Sequence, residues 1–282
     1  MKTSFSADEV LLLPLDSKPA RLLAASEYSL AEVLRLYVGQ SGIDLAEHTD
    51  CFSFASAHLP PGSCILKTAW SPSTADALID RELARFSALG LPVEWYLFGS
   101  AHALDLAQRL KQRGFISGSS RWMIADLAAL PPAPPRPADL RISEVQSSSE
   151  MADWSEAFER GFGTTQVVTA LYREAYVAAP RCSERVEGRV HRVAYAGNTA
   201  VACSTLLLAG GIATLWDVTT VPEFRRRGYA GCLVREDLDH AIRAGYAHAT
   251  LNSSRAAHSL YEKLGFGIEL WVPEFDWRPP NL

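Results

Sequence analysis

The sequence predicts an α/β (α+β) chain with a mixed sheet flanked by helices, built twice in tandem. Three observations lead there. Between residues 140 and 277, β-rich runs alternate with segments of helical period. Two turn pairs, Gly197-Asn198 and Gly210-Gly211, fold three of those runs into a meander. The segment "LPPAPPRPADL", residues 130–140, is nearly half proline, which excludes helix interior and central strand and favours a stiff connector. It divides 282 residues into two halves of domain size, at roughly 150 residues per domain. The expected organisation is a first domain at 1–130, a linker at 131–139 and a second domain at 140–282.

The second half reads element by element. "LRISEV", from Leu140, alternates as a strand, and "SSEMADWSEAFERGFG" is an amphipathic helix ending near Gly161 or Gly163. Residues 164–188, "TTQVVTALYREAYVAAPRCSERVEG", read as a loop. "HRVAYAGNTAVACSTLLLAGGIATLWDVTTV" is the meander. "AGCLVREDLDHAIRAG" is a helix closed by Gly245, "YAHATLN" a strand, "SRAAHSLYEKL" a helix stopped by Gly265, and "FGIELWVPEFDW" a last strand. The first half echoes this ending. "VEWYLFGSAHALDLAQRLKQRGF" repeats the order strand, small polar residues, helix, Gly-Phe, so an internal duplication is expected. At the place of the Arg/Gly loop, the first half has the glycine-free "AWSPSTADALIDREL".

Composition bounds the function. The chain is 48% hydrophobic and 21% charged, with net charge −5, which disfavours a nucleic-acid partner. Five scattered cysteines without a CxxC pair suit reduced thiols, and neither they nor the seven histidines have metal-ligand spacing. No run reaches the roughly 18 apolar residues of a membrane span, and the N-terminal apolar run is too short for a secretory signal. A cytoplasmic, metal-free protein with no membrane partner is expected.

The chemistry concentrates at "VPEFRRRGYAG", residues 221–231. Three arginines precede Gly228, Ala230 and Gly231 at a helix start. Unpaired N–H groups and the helix dipole, with small residues allowing close approach, make an anion site suited to pyrophosphate. There is no phosphate-loop lysine and no GxGxxG.

Arg225-x-x-Gly228-x-Ala230 resembles the Q/R-x-x-G-x-G/A signature of the GNAT superfamily of acetyl-CoA-dependent N-acetyltransferases. "SRAAHSLYEKLGF" resembles that superfamily's last helix, N-x-x-A-x-x-L-Y-x-x-L-G-F. The resemblance covers roughly residues 139–275; the first half is similar only in outline. It implies a GNAT-like, mostly antiparallel sheet, with the strand before the loop splayed from its neighbour. Val218, Thr219 and Thr220 would then pair with the pantetheine arm of acetyl-CoA. The amides from Arg226, Arg227, Gly228, Tyr229 and Ala230 to Gly231 would meet the pyrophosphate, with Arg225 adding charge. Ser254 stands where the family usually has Asn. Tyr261 matches the tyrosine that gives a proton to the departing thiolate, a sensible role for a phenol of pKa near 10. Asp217 is the candidate for acid–base work or amine recognition, ahead of Glu223 and His258. The implied activity is transfer of an acetyl group from acetyl-CoA to a small-molecule or peptide amine. The alternatives are an acyl-CoA-binding sensor and transfer of a longer acyl group.

Overall fold

The computed structural model describes residues 4–59, 62–99 and 103–280. In chain order, and leaving aside two 3₁₀ turns, the first run of elements is β1 (Ser4–Phe5), α1 (Ala7–Leu11), α2 (Lys18–Arg35), β2 (Ile43–Glu47), β3 (Phe52–Ser56), β4 (Cys64–Leu66), α3 (Ala75–Leu89), β5 (Val93–Tyr96), α4 (Ala103–Gln112) and β6 (Ile116–Asp126). The second run is β7 (Leu140–Glu144), α5 (Ser148–Phe162), α6 (Gln166–Ala178), β8 (Gly188–Ala196), β9 (Thr199–Ala209), β10 (Ile212–Thr220), α7 (Tyr229–Arg243), β11 (His248–Asn252), α8 (His258–Lys263) and β12 (Ile268–Trp277). The two runs have the same order of strands and helices. In the sequence echo between them, residues 100–102 lie outside the described residues.

The compact units divide the chain elsewhere than the proline segment. One holds Met1–Trp122 with Glu269–Leu282, the other Met123–Ile268. Residues 131–139, expected as a linker, belong to the body of the second unit. Residues 269–282, expected in the second domain, belong to the first unit. There β12 pairs antiparallel with β5, Glu274 opposite Tyr96 and Trp277 opposite Val93. In the second unit the strand order is β6-β11-β10-β9-β8-β7. Met123 and Ala125 of β6 enter its core beside Ala249 and Leu251 of β11. Hydrophobic alternation fixes which face of a strand is buried, not which neighbour it pairs with; the reassignment has that origin.

Within the second unit the ladders β7–β8, β8–β9 and β9–β10 are antiparallel and β10–β11 is parallel. The sheet is mixed and mostly antiparallel, as expected. Helix α5 opens with a Ser147/Glu150 capping box and ends at Gly163. It packs on the sheet through Trp154, whose indole N–H donates to the Ser204 carbonyl at 3.1 Å and whose ring stacks on Phe158. The stretch read as a loop contains α6 instead. Thr165 caps it, and Thr169, Tyr172, Ala175 and Tyr176 form its buried stripe. Helix α7 packs Val234, Leu238 and Ala241 into the core on its own side of the sheet. Among the described residues no helix is long and apolar enough to cross a membrane.

Candidate functional site

Strand β10 organises the site. Its parallel pairing with β11 covers only Ala213 with Ala249 and Thr214 with Thr250. On its other side it follows β9 up to Thr220 opposite Ala202. From Leu215 onward the edge facing β11 has no ladder partner among the described residues. This is the expected splay, and an edge without a ladder can take a ligand in the manner of an added strand.

Next to the splay, β10 carries a bulge between Trp216 and Thr219. Asp217 sits there at φ 56°, left-handed without being glycine. Its carboxylate accepts a 2.7 Å hydrogen bond from the Tyr176 hydroxyl of α6. The Thr205 hydroxyl of β9 is a second partner, and burial pushes the carboxyl up to about 6. The residue is half-buried.

The loop then turns into α7 through Gly228, at φ 91° as the N-cap. A β-branched residue would be strained there whatever space it found. The first amide of the turn with a backbone partner is that of Cys232, which donates to the Gly228 carbonyl. The amides of Arg226 to Gly231 have none among the described residues. They are the unpaired donors of a helix N-terminus.

The three arginines differ in what they hold. Arg225 donates Nε to the Thr220 carbonyl at 2.9 Å and Nη2 to the Gly161 carbonyl at 2.8 Å. It staples the end of α5 to the end of β10, so its fork is already spent on backbone. Arg227 donates to the Glu223 carbonyl and lies over the Phe224 ring. Arg226, at φ 62° and exposed, has no side-chain partner among the described residues. It is the arginine left to meet an anion.

The proline segment runs beneath this loop. The Arg235 guanidinium donates to the Pro131 carbonyl at 2.6 Å, and the Tyr229 hydroxyl donates to Asp139 at 2.8 Å. A Cβ on Gly228 would point at Pro137, 3.5 Å away. The glycine is required by its backbone angle, and an added Cβ would face the proline segment. Tyr229 is 3% exposed, and its hydroxyl bond to Asp139 makes its side chain structural.

Helix α8 closes the site. Tyr261 is 6% exposed and packs edge-on against Phe266. Burial pushes its phenol up to about 12. Its hydroxyl has no hydrogen-bond partner among the described residues. Ser254 is exposed at the turn before the helix.

A cleft of about 710 Å³ gathers these parts. The sequence-predicted residues line it except Asp217 and Arg227, and neither of the lesser candidates, Glu223 and His258, lies on its wall. Sequence reasoning missed Gly161, Phe162, Leu260 and Lys263, which also line it. Lys263 was legible in "LYEKLGF", two positions after the tyrosine. The charged side chains on the wall are Arg225, Arg226 and Lys263, with no carboxylate among the described lining residues. Such a wall suits an anionic ligand with an apolar arm.

Residues 187–268 match the family model described as the acetyltransferase (GNAT) domain. Similar solved structures include a GCN5-related N-acetyltransferase from Kribbella flavida, 15% identical over 94% of this chain and 96% of that one, with a TM-score of 0.65. Another is a GCN5-related N-acetyltransferase from Sphaerobacter thermophilus, 16% identical over 93% of each chain, TM-score 0.60. A third is a tandem GNAT protein from the clavulanic acid biosynthesis pathway, 13% identical over 94% of this chain and 97% of that one, TM-score 0.61. No curated protein matches the chain in sequence. The chain thus has the fold of the GCN5-related N-acetyltransferases and carries a GNAT domain in its second half. That fold supports acyl transfer from an acyl-CoA to an amine.

Proposed function

We propose that the second unit moves an acetyl group from acetyl-CoA to a primary amine by direct transfer. The observation that carries this is the parting of β10 from β11 beyond Thr214, opening onto a cleft that also holds the loop amides and Tyr261. The pantetheine arm would lie along Val218, Thr219 and Thr220. The pyrophosphate would meet the amides of Arg226 to Gly231, with Arg226 and Lys263 supplying charge and Ser254 reaching the arm. The amine attacks the thioester carbonyl, the C–N bond forms and the C–S bond breaks. The departing sulfur receives a hydrogen bond, then a proton, from Tyr261, and the proton lost by the amine passes to solvent. Burial of Tyr261 keeps the phenol protonated throughout the neutral range, so the donor is always loaded.

The first unit fits a degenerate copy without chemistry of its own. Its elements follow the same order, and Lys67, just after β4, is left-handed at φ 53° as Asp217 is in β10. Its loop to α3 is equally long but glycine-free, with Thr74 as N-cap and no side-chain cap bond. The acceptor is a small-molecule or peptide amine, and the protein works in the cytoplasm without a metal.

The test is a panel of amines incubated with acetyl-CoA while free CoA thiol is followed. Turnover with at least one amine is expected. Binding of acetyl-CoA with no thiol release across the panel would turn the reading into that of a sensor.

A further inference from the structure

A left-handed non-glycine residue is strained and persists only where its surroundings hold it. Among the described residues only Lys67, Asp217 and Arg226 are of this kind. Asp217 stands where β10 leaves its ladder with β11, and what holds it can be read off directly. The Tyr176 hydroxyl donates to its carboxylate at 2.7 Å, and the Cys203 thiol approaches its carbonyl at 3.5 Å. The Thr205 hydroxyl is the second carboxylate partner. Thr205 has one O–H, so His191 Nδ1, 2.9 Å from its oxygen, must be the donor in that pair. His191 is then a neutral Nδ1–H tautomer, in keeping with burial and Arg189 pushing it down to about 3.

The carboxylate therefore accepts from two hydroxyls and lies off the cleft wall. Its next neighbours, Val218 and Thr219, are on that wall. We propose that Tyr176 and Asp217 are positioning residues, whose hydrogen bond fixes the bulge and so aims the Val218–Thr219 backbone at the thioester of the coenzyme. This rests on the acyl-transfer reading above and gives Asp217 a part different from that of a base.

The first unit supports the separation of anchor from chemistry. There the left-handed residue is Lys67. Its N–H donates to Glu27 at 2.6 Å and its ammonium lies 4.6 Å from the ring centre of Tyr28, both on α2. A tyrosine of the second helix meets the left-handed residue in each unit, through its hydroxyl at Asp217 and through its ring at Lys67, and the charge is reversed.

The experiment compares CoA with acetyl-CoA by calorimetry, and measures turnover, for the wild type, Tyr176→Phe, Asp217→Ala and Asp217→Asn. The wild type should bind acetyl-CoA more tightly than CoA, because only acetyl-CoA offers the carbonyl. Tyr176→Phe and Asp217→Ala should keep CoA affinity, lose the preference for acetyl-CoA, and lose kcat by about 10- to 100-fold. Asp217→Asn still accepts from Tyr176 and should stay near wild type in both. The proposal is overturned if Tyr176→Phe keeps both preference and turnover, or if it loses CoA and acetyl-CoA binding alike. It is also overturned if Asp217→Asn is as impaired as Asp217→Ala, since the carboxylate would then be needed as a base. A wild type that prefers acetyl-CoA but transfers to no amine would overturn the acyl-transfer reading, while the CoA comparison across the variants still decides the positioning role.

Discussion

Gly161, in the last turn of α5, presses on the splayed strand closely enough to be tested by a single methyl group. A Cβ built there would lie 2.5 Å from both Cγ2 and Oγ1 of Thr219 and 3.0 Å from its Cβ. Favourable carbon contacts begin near ~3.5 Å, so something must move by about 1 Å. Thr219 cannot give freely, because its backbone is paired with Cys203 on β9. The helix cannot either, since Arg225 ties the Gly161 carbonyl to the end of β10. In an ordinary helix Gly→Ala gains roughly 1 kcal/mol. Overpacking of about 1–3 kcal/mol opposes that gain here, so the melting temperature should fall by only a few degrees or hold. Catalysis should suffer more. A displacement of ~1 Å at a positioned backbone costs up to about 100-fold, so Gly161→Ala should lower kcat/KM for acetyl-CoA by roughly 10- to 100-fold. The assay is steady-state thiol release for Gly161→Ala, Thr219→Ala and the double variant. Thr219→Ala removes both of the 2.5 Å contacts and should restore much of the loss, as a coupled pair requires. Wild-type kinetics in Gly161→Ala, or a loss that Thr219→Ala does not relieve, would refute the claim that this contact sets the strand.

Two further outcomes follow from the geometry. Gly228→Val places a β-branched residue at φ 91°; the loop should refold locally and acetyl-CoA binding, at one equivalent per chain in the wild type, should weaken by at least ~2 kcal/mol in calorimetry. Glu27 carries a folded-state pKa raised by burial from 4.5 to about 7. Its contribution to stability is complete below the unfolded value and is lost as pH rises through 7. Thermal melts of Glu27→Gln should therefore show a smaller drop between pH 5 and pH 8 than the wild type; parallel curves would show that Glu27 does not titrate in that window.

Much of the second unit was legible because its signals are local. Gly197-Asn198 and Gly210-Gly211 announce the meander, Gly163 ends α5, and the small residues at 228, 230 and 231 mark the start of α7. Helix α6 was missed because "TTQVVTALYREAYVAAP" sits in a stretch taken as a loop. The Thr165 cap and the spacing of Thr169, Tyr172, Ala175 and Tyr176 would have revealed it. That omission also hid Tyr176, and with it the anchor of Asp217. The spending of Arg225 on two carbonyls was not readable at all, since it depends on where α5 ends in space. The same holds for β12, whose alternation says which face is buried and nothing about β5 as its partner.

The central claim is that the cleft beside β10 is where a thiolate leaves, and Tyr261→Phe tests it most directly. The ring and its contact with Phe266 remain; one proton donor is lost. Acetyl-CoA binding and CoA release are measured side by side for both proteins. Unchanged affinity with turnover lowered by roughly 10²- to 10⁴-fold, the loss falling on kcat, is the predicted result. Equal turnover would contradict the account and leave Tyr261 as a packing residue of the core.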